Sequence, residues 1–111
     1  MGARCRQCII ALIDTITSLG DLKTDAFRER WDDAVRDLED YSGYSSKVAS
    51  FCEFSDEFYK KLREIGRELR EAVSAKSITG VATGVEKGLE LLTVYGSDEA
   101  SRFCQRISKM L

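Results

Sequence analysis

The chain has 111 residues and a mass of 12.5 kDa, with 17 Lys and Arg against 19 Asp and Glu and a formal net charge of −2. That length allows one domain, and the near-neutral balance excludes the strongly basic footprint of a chain-wide nucleic-acid binder, so nucleic acid is not the expected partner. No apolar run approaches the ~20 residues of a membrane span, while 43% hydrophobic and 32% charged residues suit a packed chain rather than a disordered one.

Pro is absent, which removes the usual punctuation of loops and strands and favours helices. The first helix is expected from about Arg4 to Leu19, on the spacing of Cys5, Cys8, Ile9, Leu12, Ile13, Ile16 and Leu19. Gly20 and Asp21 read as its stop. Two arginines followed by an apolar stretch are like a short signal peptide. Asp14 interrupts that stretch and no clean cleavage site follows, so the segment is read as a core helix and the protein as cytoplasmic.

A second helix is expected to start near Thr24 and Asp25, with Phe27, Trp31, Ala34, Leu38 and Tyr41 as its inner face and Gly43 as its end. In the third segment Tyr44, Val48, Phe51, Ser55, Phe58, Leu62, Ile65, Leu69 and Ala72 step by four and three without a break. This predicts one long helix from about Ser45 to Ala75, with a break at Ser55, Asp56 and Glu57 as its rival. The fourth helix, from about Ser77 to Tyr95, carries Ile78, Val81, Ala82, Val85, Leu89, Leu92 and Tyr95 as its apolar stripe, together with a row of Gly80, Gly84 and Gly88. Gly96 reads as its end. A fifth helix starts at Ser97, Asp98 and Glu99 and buries Ala100, Phe103, Cys104, Ile107 and Met110 or Leu111. The expected architecture is all-α: an antiparallel bundle of four to five helices with one long central helix, in a single domain over residues 1–111.

His is also absent, which excludes catalytic triads and dyads built on imidazole and any imidazole metal ligand. Of the four cysteines Cys5, Cys8, Cys52 and Cys104, the last three read first as small core hydrophobes. A disulfide within the chain and a four-thiolate zinc site are the alternatives. Asp32, Asp33, Asp37 and Asp40 fall on one side of the second helix with Glu29 nearby, interleaved with arginines. They read as a solvated face. A magnesium site of the kind found in all-α pyrophosphatases would need such acids to face inward from two helices.

Arg4 and Arg6 open the chain, and Arg102, Arg106 and Lys109 line the last helix. If the terminal helices are neighbours, these charges make a small patch for phosphate or anionic lipid. The glycine row makes a smooth groove that admits another helix, either inside the bundle or from a partner. Lys60, Lys61, Arg63, Arg67 and Arg70 are interleaved with Glu57, Glu64, Glu68 and Glu71. Phe58, Leu62, Ile65 and Leu69, with Gly66 after the third anchor, resemble the helical death motif of pro-apoptotic Bcl-family proteins. That resemblance implies docking in a receptor groove. The acid of the family motif is Arg67 here.

The expectation is a non-catalytic interaction module, a small subunit or homo-oligomer, with no catalytic residue, no cofactor and no metal. Gly80, Gly84, Gly88, Arg102, Arg106 and Lys109 are the interaction candidates. The alternatives are a metal-dependent phosphohydrolase using the acids of the second helix, or an anionic-lipid or nucleic-acid binder through Arg4, Arg6, Arg102 and Arg106.

Overall fold

In the computed structural model, which describes residues 2–110, the apolar stripes become the inner faces of α1 (Ala3–Phe27), α2 (Trp31–Phe51), α3 (Asp56–Ser74), α4 (Ile78–Glu90) and α5 (Gly96–Met110). A π-helical turn over Leu91–Tyr95 joins α4 to α5, so the two form one continuous rod. There is no strand among the described residues. The all-α bundle is as expected. The burial of Leu111 and of the Met110 side chain, expected as alternatives above, lies outside the described residues.

Four rods run up and down in chain order. Tyr41 of α2 reaches Leu62 of α3, Gly84 and Gly88 of α4 meet Leu69 and Ile65 of α3, and Gly88 also meets Leu19 of α1. Gly96 meets Leu12, and Cys104 is bonded to Cys5. The pairings of α3 with α4, and of α1 with the α4–α5 rod, run in opposite directions, which fixes these contacts as antiparallel. The α4–α5 rod, at 1.5 Å per residue, accounts for the 48 Å long axis of the molecule.

Several expected boundaries are corrected, among them the start of the second helix, which is at Trp31 and not near Thr24. α1 continues through Gly20 to Phe27 because Leu22 and Ala26, both fully buried, extend its stripe beyond Leu19. Burying Leu22 contributes about 1.5–3 kcal/mol, which outweighs the ~1 kcal/mol that an exposed glycine costs a helix. Gly43 likewise sits inside α2 on an exposed face. The long helix over 45–75 does not form. α2 ends at Phe51, Cys52 is extended, and Ser55 caps α3 by accepting a hydrogen bond from Phe58 N at 3.2 Å. The rival break at Ser55 is the one observed, and the long helix is the C-terminal rod, which passes straight through Gly96.

The tight α1–α2 and α3–α4 turns share one device. Glu29 (φ 55°) and Lys76 (φ 52°) adopt the left-handed conformation. In each turn two backbone bonds close over the preceding helix: Glu29 N to Ala26 O with Arg30 N to Asp25 O, and Lys76 N to Val73 O with Ser77 N to Ala72 O. This is the Schellman arrangement, which ordinarily places glycine at the left-handed position.

One core runs through the bundle, with Leu19, Leu22, Leu69, Leu92 and Phe103 almost wholly buried. Phe27, expected inside, is 52% exposed beyond the end of the stripe, and Trp31 and Phe51 are half-buried. Two disulfides, Cys5–Cys104 and Cys8–Cys52, tie α1 to α5 and to the α2–α3 loop. The cysteines are therefore neither free core thiols nor zinc ligands, although Cys5, Cys8 and Cys52 are buried. Such bridges persist in oxidising compartments or in heat-adapted cells.

Candidate functional site

The glycine row lies inside the molecule. A Cβ on Gly84 would stand 2.6 Å from Leu69 Cδ2, one on Gly88 2.7 Å from Leu19 Cδ1, and one on Gly80 2.9 Å from Ala72 Cβ. Gly80, Gly84 and Gly88 thus let α4 approach α3 and α1 closely, and the groove they make is already filled. Of the two readings of this row, close packing within the bundle is what the geometry provides.

The terminal helices are neighbours, as the basic patch requires, yet most of its charges have partners. Arg4 pairs with Glu53 at 3.0 Å and lies over the Phe103 ring at 5.5 Å. Arg106 donates to the Glu53 carbonyl at 2.8 Å, and Arg102 pairs with Asp98 and Glu99 on its own helix. Arg4 and Arg106 therefore clamp the α2–α3 loop onto the bundle end, and only Arg6 and Lys109 extend from this group without a partner among the described residues.

The acids of α2 have a different neighbourhood from the one expected. Asp37 stands beside Asp25 and near Asp21 of α1, as well as Asp40. Burial, then the hydrogen bond and charge of Asp25, then the charges of Asp21 and Asp40, push the Asp37 carboxyl up to about 7. Its Oδ2 is buried without a partner. No group of three or more acids or thiols among the described residues is arranged to hold a metal ion.

The stripe resembling the Bcl-family death motif is also occupied. Phe58, Leu62, Ile65 and Leu69 are all buried in the core, so they are not available to a receptor groove in the folded chain.

The open apolar surface is elsewhere, in a groove of about 660 Å³ between α1 and α5. Leu12 and Leu92 form its floor, and Ile9, Ile13, Ile16 and Ile107 its walls. The Cys5–Cys104 disulfide joins its two walls. Ser97, Ser101, Gln105 and Ser108 of α5 make a neutral rim, and Lys109 is the one charged side chain on it. Ile13 is 54% exposed and Ile10, one step outside the groove, 56%. On a helix these two sit about 60° apart, so they form a continuous ridge beside the groove.

The sequence assigned Ile9, Ile13, Ile16 and Ile107 to the core and left Ile10 unexplained. The available signal was the doubled pairs Ile9-Ile10 and Leu12-Ile13. They widen the apolar sector of α1 beyond what its helical neighbours cover. Comparison of the chain with protein-family models, with curated proteins and with solved structures finds no match.

Proposed function

We propose that this protein is a non-catalytic helical interaction module, braced by disulfides for a non-reducing environment, that pairs with a second copy of itself through the α1/α5 face. The supporting observation is the combination of an apolar groove and an adjoining apolar ridge on one surface. Exposed apolar area of this kind marks contact surfaces. A twofold pair lets the Ile10/Ile13 ridge of each copy enter the groove of the other, as self-complementary interfaces require. The rim is neutral apart from Lys109, so bringing two copies together opposes few like charges.

The groove follows α1 from Gly2 to Ile16, about 20 Å at the helical rise. That length seats roughly four turns of a partner helix. The Cys5–Cys104 bridge holds the walls at a fixed separation, so little ordering remains to oppose binding. The charged candidates Arg102 and Arg106 serve the bundle end rather than this contact, while Lys109 belongs to its rim.

Sedimentation velocity at micromolar to 100 μM loading tests the proposal. Wild type is expected to run at twice the 12.5 kDa chain mass, and Ile13→Glu at the chain mass with unchanged helix content. A wild type that remains a single chain throughout this range contradicts it.

A further inference from the structure

A second cleft, between α2 and α3, has a different chemistry. Its volume is about 640 Å³, and Arg63, Arg67 and Arg70 stand along its α3 wall. These positions follow helical spacing, so the three guanidinium groups share one face. Among the described residues none of the three is ion-paired. Like charges three and four residues apart oppose helix formation. An anion in the cleft relieves that repulsion.

The facing wall is built of hydroxyls. Ser42, Ser45 and Ser46 of α2 line it, and the buried Ser45 Oγ stands within hydrogen-bonding reach of the Tyr41 hydroxyl. The Tyr41 hydroxyl gives its proton to Leu62 O at 2.8 Å. Gly66 lets the Tyr41 ring pack close against α3, since a Cβ there would stand 3.2 Å from that ring. Apolar surface from Leu38, Tyr41 and Leu62 completes the floor. Asp56, the one acid on the lining, lies about two helical turns from Arg63.

We propose that the cleft between α2 and α3 binds a small organic phosphate, its phosphoryl group held by Arg63, Arg67 and Arg70 and hydrogen-bonded by Ser45, its organic part lying on Tyr41 and Leu62. The planar fork of arginine matches phosphate oxygens in pairs. The volume of the cleft and its apolar floor favour an ester over the bare ion. This site shares no lining residue with the self-association face and stands independently of it.

The test uses the intact, oxidised protein at low ionic strength with phenyl phosphate, phenyl sulfate and inorganic phosphate as probes. Affinity is read from the amide shift of Ser45 and from the change in Tm. Phenyl phosphate is expected to move both, and to bind more tightly than either of the other probes. The R63Q/R67Q/R70Q variant, altered only at exposed positions, is expected to lose about tenfold or more in affinity, as loss of charged hydrogen bonds implies. Arg67→Gln alone is expected to weaken binding in the same direction and carries the test if the triple variant does not fold. No Ser45 shift with phenyl phosphate, undiminished affinity in either arginine variant, or equal binding of phenyl sulfate or inorganic phosphate overturns the assignment.

Discussion

Replacing glycine by alanine at two helical positions separates packing from propensity. At Gly20 nothing lies within 4 Å of an added Cβ, and the position is exposed. Alanine there gains the full helix preference, about 1 kcal/mol. At Gly84 the same atom would stand 2.6 Å from Leu69 Cδ2 and 3.1 Å from Cγ. Leu69 is 0% exposed, so it has no space into which to withdraw. Overpacking of this sort costs about 1–3 kcal/mol. The contact at Cγ places this site in the upper half of that range, which leaves a net loss of about 1–2 kcal/mol after the propensity gain. G20A and G84A should therefore differ by roughly 2–3 kcal/mol in opposite directions from wild type. Urea denaturation followed by circular dichroism measures this, preferably in the Ile13→Glu background so that association does not enter. A G84A variant as stable as G20A would refute the claim that the glycine row is closed against α3.

Reduction should be costly. The bridges close loops of 99 and 44 residues, each worth about 4–5 kcal/mol by loop entropy alone. Dithiothreitol is thus expected to lower Tm by more than ~15 °C, and a shift of a few degrees would contradict it. Lys76→Gly removes an exposed side chain from a left-handed position and should stabilise by about 1 kcal/mol, read as a rise in Tm. A fall would mean that the Schellman turn is not formed. Asp37 has an ordinary value of 3.8 and a folded value of about 7. The folded state therefore holds a proton that the unfolded chain has released over this interval. The resulting stabilisation is complete below the lower value and is lost as pH rises through the higher one. Asp37→Asn should accordingly gain stability relative to wild type as pH increases from 4 to 8. A difference that does not vary with pH refutes the shift.

The inner faces were legible because burial imposes helical spacing. Phe58, Leu62, Ile65, Leu69 and Ala72 on α3, and Val81 and Val85 on α4, were identified from periodicity and are buried. Helix ends were less legible. Glu29 and Lys76 occupy turn positions where glycine would have announced the boundary, while Gly20 and Gly43 lie in mid-helix on exposed faces. The step of four and three ran on through Ser55 although the chain is extended at Cys52 and reverses. Four cysteines allow three full pairings, and only the tertiary arrangement selects the observed one. At the α1/α5 face, periodicity alone could not separate Ile13 from Leu12, since exposure depends on where the neighbouring rods stop covering α1. The arginines of α3 were visible as a charged face. Their opposition to the serines of α2 required the hairpin geometry.

The most direct measurement of the self-association proposal is an isotope-filtered nuclear Overhauser experiment on a mixture of labelled and unlabelled oxidised protein. Cross-chain contacts from the Ile10 and Ile13 methyls to Ile9, Ile16 and Ile107 are the predicted result. Contacts to these methyls arising solely within one chain, at concentrations up to 1 mM, would contradict it.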